Sequence, residues 1–233
     1  MTDDNSKLEH GVLGVDYAEG RVTSRALKYR LQRRTDEVIR SVKQYHVGPP
    51  KKLIDLGTAD GRMLGLLQAE FTDCECMGIE YNQELVEVGK NLFPNIEIKQ
   101  GDVQDLGQYS SGTFCVAVAT AVIEHVEDPQ KFMNEIQRIL RPGGLVVVTA
   151  PDPIWEHLAT MVGHLADEQH HEVPNLGRLQ QLASTSGLEI VELQKFMLSP
   201  VGLPGELRIE KALRGLKLGA LMANQILVAK KPG

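Results

Sequence analysis

From Lys51 onward, short apolar runs alternate with amphipathic stretches, and turn residues separate them. Leu53, Ile54 and Leu56 form a mostly apolar run of the kind expected for a strand covered on both faces. Helical spacing follows over 63–71, a second apolar strand over 76–79, and a second helix over 82–92 with Asn82 as its N-cap. Pro94 and Asn95 end that helix, and 96–100 reads as a third strand. A polar loop leads to a fourth strand over 113–119. Asp128 and Pro129 then open a helix running to Leu140, as N-cap and first-turn residue. Arg141-Pro142-Gly143-Gly144 stops it before a fifth strand over 145–149.

The flanks are less regular. Residues 1–20 show no clear period and read as a mobile arm. Over 22–45, Val22, Ala26, Tyr29, Val38, Ile39, Val42 and Tyr45 recur at helical spacing, interrupted by the charged run 30–37, so one long helix or two shorter ones are expected. Arg25, Arg30, Arg33 and Arg34 read as a solvated face rather than an anion site. Gly48-Pro49-Pro50 ends this region, dividing an arm with cap helices (1–48) from the main domain (49–233) within one globular unit. Past Pro151 come a helical stripe over 154–165, a polar loop over 167–175, a helix over 176–184, a strand over 188–195, a loop over 199–205 and a last strand over 224–230. Between the last two, 206–218 is basic and amphipathic: Arg208, Lys211, Arg214 and Lys217 lie opposite Ile209, Leu213 and Leu216. It reads as a packed helix with a solvated basic face, the alternative being contact with anionic lipid or a lipid-linked acceptor.

Composition narrows the partners. At 233 residues the chain suits one α/β domain with additions, and no apolar run approaches the roughly 18 residues of a membrane span. The polar, acidic start is not the pattern of a secretory leader. Cys74, Cys76 and Cys115 show no zinc spacing, and a reducing, cytoplasmic setting is expected. A formal charge of -6 argues against a broad nucleic-acid surface and for a small-molecule partner.

The chemistry concentrates in the first strand and the turn after it. Gly57 and Gly61 flank Thr58, Ala59 and Asp60, so the backbone can approach a ligand while the next helix presents its N–H groups. Glu80 ends the second strand about 20 residues later, where a doubly wound α/β fold places an acid for ribose hydroxyls. A nucleotide-like cofactor is the expected occupant.

With Gly101-Asp102-Val103 and the block FCVAVATAVIEHVEDPQKFMNEIQRILRPGGLVVVTAP over 114–151, these features resemble the class I S-adenosylmethionine (SAM) dependent methyltransferases, in the small-molecule, type 11-like branch. The resemblance covers roughly 50–195. It implies a mostly parallel, seven-stranded Rossmann-like sheet with an antiparallel last strand, a pairing that periodicity does not disclose. It also implies a SAM site built from Asp55, Gly57, Thr58, Ala59, Gly61, Glu80, Tyr81, Asp102, Val103 and Thr120, with Asp105 competing for the adenine amino group. Ala59 stands where many members carry glycine, and Cys115 where aspartate is usual. Glu124-His125-Val126 is characteristic of the branch, with His125 expected to order its loop. Acceptor-side candidates are Asp152, Trp155, His157, His170 and His171, the last two as bases; a metal role for His157, His164, His170 and His171 lacks ligand spacing, and no metal is expected. The rivals are a nicotinamide dehydrogenase, which Glu80 would serve equally but whose G-x-G-x-x-G turn is missing, and a SAM-binding protein without turnover.

Overall fold

Neighbouring residues of each apolar run serve opposite faces of one sheet, which is why the runs are continuous rather than alternating. Leu53 and Val116 join one core and Ile54 and Ala117 the other. The computed structural model describes residues 14–155, 172–215, 219 and 222–233. The strands are β1 (Lys52–Leu56), β2 (Glu75–Glu80), β3 (Glu97–Gln100), β4 (Phe114–Thr120), β5 (Leu140–Pro151), β6 (Glu189–Phe196) and β7 (Asn224–Lys230). They form a 7-stranded sheet in the order β3-β2-β1-β4-β5-β7-β6. Pairing is parallel through β5, and β7 runs antiparallel to both of its neighbours. The doubly wound sheet with its antiparallel last strand is thus as the resemblance implied.

The helices are α1 (Val15–Thr23), α2 (Arg25–Tyr45), α3 (Arg62–Glu70), α4 (Gln83–Leu92), α5 (Pro129–Ile139), α6 (Leu176–Thr185) and α7 (Glu206–Gly215). One face of the sheet is covered by Phe132, Met133 and Ile136 of α5 with Leu179 and Leu182 of α6. The other is covered by Val38 and Val42 of α2, Leu64 and Leu67 of α3, and Val86 of α4. The caps read from sequence form: Asn82 Oδ1 accepts from Glu84 N–H at 2.9 Å, and Asp128 Oδ1 from Gln130 and Lys131 at 3.0 Å each.

Three sequence expectations need correction, and one left open is settled. The expected arm gives way to helix at Val15. Of one long helix or two over 22–45, the chain takes one, α2, opened by Ser24, whose extended backbone and hydroxyl, accepting from Leu27 N–H, separate it from α1. The expected solvated arginine face holds for Arg25, but Arg33 and Arg34 are buried. Arg33 meets Glu37 at 3.3 Å and Glu210 at 3.1 Å, while Arg34 donates to Asn224 Oδ1 at 3.0 Å. Glu210 and Asn224 lie far along the chain, beyond the reach of a local charge pattern. In α7, Glu206 and Glu210 face inward while Leu207 and Ile209 are exposed. The reason is polar: Glu206 accepts from Ser199 and Leu203 N–H at 2.9 and 2.8 Å, tying down the preceding loop, and Glu210 meets Arg33. Residues 216–218 of the basic stretch lie outside the described residues. A smaller difference is that β5 begins at Leu140, opposite Phe114 of β4, rather than after the Pro-Gly-Gly turn.

Candidate cofactor site

Strand order reverses between β1 and β4, and the carboxyl ends of strands flanking such a point open a crevice for ligands. The loop after β1 is held in a shape that requires glycine. Gly57 and Gly61 have φ of +71° and +74°, and a Cβ on Gly57 would sit 2.4 Å from Val122 Cγ2. Ala59 takes a φ of 51° despite its methyl group. The N–H groups of Gly57 and Thr58 both donate to Ile79 O, at 2.8 and 3.0 Å, locking the turn onto β2.

Glu80 closes this arrangement. One of its carboxylate oxygens accepts from Ala59 N–H at 2.8 Å and the other from Asn82 N–H at 3.0 Å, so it ties the glycine loop to the start of α4. Burial pushes its pKa up from the usual carboxylate range, opposed by the backbone amides of Asn82, Ala59 and Tyr81. A carboxylate has about four acceptor sites, so capacity remains for a ligand hydroxyl. The bidentate ribose contact expected from sequence must share the group with these amides.

Asp55 accepts from Thr58 Oγ1 at 2.8 Å and therefore orders the loop from beneath. Burial pushes its pKa up to about 7, against the lowering effect of the Thr58 hydroxyl. Below pH 3.8 the group is protonated whether folded or not; between 3.8 and about 7 the unfolded chain releases a proton that the folded chain keeps. Stability from this residue therefore falls as pH rises through that window and levels off above it, by an amount of order 4 kcal/mol at most. In thermal unfolding from pH 4 to 8, the stability of the native protein relative to Asp55→Asn is expected to decline up to about pH 7 and then flatten. A constant or rising difference would show that Asp55 ionises freely in the folded state.

The other candidate residues are spread over several parts of the sheet and its loops. Asp102, after β3, accepts from Gln104 N–H at 2.8 Å, and Val103 beside it is buried in the core. Asp105 is exposed and accepts from Gly107 N–H at 3.3 Å. Tyr81 is exposed at the end of β2. Thr120 ends β4, its hydroxyl donating to Met63 Sδ at 3.5 Å. Cys115 is buried and its sulfur accepts from Lys52 N–H at 3.3 Å, a structural use. Asp152 is paired with Lys195 at 2.6 Å. His157, His164, His170 and His171 lie outside the described residues. No metal-binding cluster of His, Cys, Asp or Glu occurs among the described residues.

Sequence reasoning missed Asp60. It is fully buried, accepts from Arg62 Nε at 2.7 Å, and takes Arg21 Nη1 of α1 at 3.2 Å, so α1 is anchored to the glycine turn. Its place just before the N-terminus of α3 was the available signal, since an acid is favoured there.

Comparison with known proteins agrees with this fold. A family model described as a methyltransferase domain matches residues 26–193. The chain belongs to that family. The methyltransferase domain's cofactor is SAM, and the buried strand-end carboxylate with spare acceptor capacity suits its ribose. Trans-aconitate 2-methyltransferase of Deinococcus radiodurans is 28% identical over 104 residues, 44% of this chain and 39% of that protein. Malonyl acyl-carrier protein O-methyltransferase of Halalkalibacterium halodurans is 26% identical over 158 residues, 65% of this chain and 55% of that protein. The chain thus spans about half or less of the length of these curated relatives. Among solved structures, the methyltransferase crystallised with the Haloferax volcanii Trm112 methyltransferase activator superposes with a TM-score of 0.70 at 17% identity, covering 94% of this chain and 98% of that one. At that identity the likeness concerns the fold. No helix among the described residues is long and apolar enough to cross a membrane.

Proposed function

We propose that the protein transfers a methyl group from SAM to an oxygen, nitrogen or carbon atom of a small-molecule acceptor. The observation that carries this reading is the Gly57–Glu80 arrangement at the carboxyl ends of β1 and β2, where a buried acid and a glycine turn meet at the strand-order reversal. In this reading Glu80 accepts from the ribose, the 57–61 turn lies against the methionine portion, and Asp102 and Val103 take the adenine amino group and ring, with Tyr81 beside them. Asp55 and Thr58 hold the turn, and Thr120 borders the methyl-donor end. SAM supplies a sulfonium methyl, whose transfer is an in-line displacement. The protein's part is alignment and water exclusion, which can recover about 7–11 kcal/mol of the barrier.

Relatives named for trans-aconitate and for a malonyl carrier protein support an acceptor smaller than a folded protein or nucleic acid at the reacting end. Where the acceptor must lose a proton, His170 or His171 would take it, contributing about 10²–10⁴-fold. Calorimetric titration with SAM and with NAD, followed by a screen of acceptors for S-adenosylhomocysteine release, tests the proposal. Saturable binding of SAM but not NAD, with turnover on at least one acceptor, is expected. Binding of NAD alone would overturn it, and SAM binding without turnover on any acceptor would favour a non-catalytic SAM-binding protein.

A further inference from the structure

Helix α7 is mounted with its acids inward and apolar side chains outward, and the loop before it exposes apolar side chains as well. We propose that this outer surface docks the protein on an anionic lipid bilayer, an inference that goes beyond methyl transfer and does not depend on it.

The mounting is firm. Glu206 accepts from Ser199 and Leu203 N–H at 2.9 and 2.8 Å, and Glu210 meets Arg33 at 3.1 Å. Arg33 is itself buried, with Glu37 at 3.3 Å and the Phe196 ring centroid 5.9 Å from its guanidinium carbon. Rolling α7 to bury Leu207 and Ile209 would strip these buried charges of their partners, which is strongly destabilising. Gly202 lies against Tyr29 of α2, where a Cβ would come within 2.8 Å of the ring, so the loop is seated as closely as the helix.

What is left facing outward is apolar and basic. Val201 and Leu203 are 50% and 49% exposed, Leu207 61% and Ile209 46%. Arg208 and Lys211 are exposed among them. At about 100° per residue, Leu207, Lys211, Arg208 and Ile209 span an arc of about 200° around the helix. The acids of 199–213 are Glu206 and Glu210, both 3% exposed, so this segment shows a basic surface on a chain of formal charge -6. Screening confines surface fields to about 8–10 Å at physiological ionic strength, so the local sign, rather than the net charge, meets an approaching membrane.

Single exposed apolar side chains are ordinary, but here they are interleaved with cations and with no exposed acid. That is the pattern of an interfacial helix, whose apolar residues enter the headgroup boundary while Lys and Arg reach lipid phosphates on long stems. The placement also relates to the crevice. Asn224, at the start of β7, pairs with Pro151 at the end of β5 and with Phe196 at the end of β6. The β6–β7 connection that carries α7 therefore leaves and re-enters the sheet at the carboxyl end of β5, the edge on which the strand-order reversal opens. Docking through α7 holds that edge near the bilayer.

The test floats the full chain with vesicles of equimolar phosphatidylcholine and phosphatidylglycerol and, separately, of phosphatidylcholine alone. Partition onto the anionic vesicles is expected to exceed that onto the neutral ones by about tenfold or more and to fall as salt is raised. The double variants Leu207→Ser with Ile209→Ser and Arg208→Gln with Lys211→Gln should each lower it by about tenfold or more. Because all four side chains are exposed, both variants should melt close to the native temperature. Absence of flotation, equal flotation with both lipids, or native flotation of either double variant overturns the proposal. If light scattering shows a native dimer that Leu207→Ser with Ile209→Ser turns into a monomer, and the native chain does not float, the surface belongs to a second copy and the proposal also falls.

Discussion

Gly57→Val is expected to abolish SAM binding, with affinity falling beyond calorimetric detection. Three effects act together at this position. The backbone φ of +71° is one that β-branched side chains strongly resist, and a non-glycine residue held there costs on the order of 1–3 kcal/mol. The added Cβ would lie 2.4 Å from Val122 Cγ2, so either the turn or the loop after β4 must move. Both form the wall of the crevice, and the N–H groups of Gly57 and Thr58 that lock the turn onto Ile79 would move with them. Should Gly57→Val not fold, Gly57→Ala in a Val122→Ala background removes the clash and keeps the backbone strain. That variant should fold and bind SAM measurably less well than Val122→Ala alone. Native affinity in either folded glycine variant would place the cofactor elsewhere.

Glu80→Ala is expected to weaken SAM binding by about 10²–10⁴-fold, the range corresponding to loss of two hydrogen bonds to a charged acceptor. The structure adds a consequence that the sequence did not suggest. Because Glu80 accepts from Ala59 and Asn82 N–H, its removal also leaves buried backbone donors without their acceptor and loosens the turn. The thermal midpoint should therefore fall, by an amount equivalent to about 1–3 kcal/mol. Glu80→Gln keeps an acceptor oxygen for one amide but repels the other with its NH₂, and should lie between the two. Unchanged affinity in a folded Glu80→Ala protein would remove the ribose assignment while leaving the loop-ordering role intact.

The centre of the sheet was legible because β1, β2 and β4 are buried on both faces and the helices carry their own stop and start signals. Leu53 to Leu56, Asn82 and Asp128 each announce an element by local chemistry. The insertion of β7 between β5 and β6 came only through the family resemblance, since no local pattern states which strands pair. The residues misjudged are those whose role depends on distant partners. Arg33 and Arg34 look like a solvated stripe until Glu210 and Asn224 are brought beside them. Helix α7 was oriented by its leucines and isoleucine, whereas two glutamates decide which side faces in.

At the site itself, the residue types and the strand ends they occupy were readable, but the internal bonding was not. Asp55 reads as a ligand contact or a loop-ordering acid and Glu80 as a ribose contact, and the folded chain uses both to hold the glycine turn in shape. Asp60 went unnoticed because its partner Arg21 sits on α1, in a stretch with no usable period.

The most direct measurement is the crystal structure of the complex with S-adenosylhomocysteine, reading the distance from Glu80 to the ribose. At least one ribose hydroxyl is expected within about 2.5–3.0 Å of a Glu80 carboxylate oxygen, with the Gly57–Gly61 turn against the homocysteine portion. A cofactor bound with its ribose away from Glu80, or density for it outside the carboxyl ends of β1, β2 and β4, would contradict it.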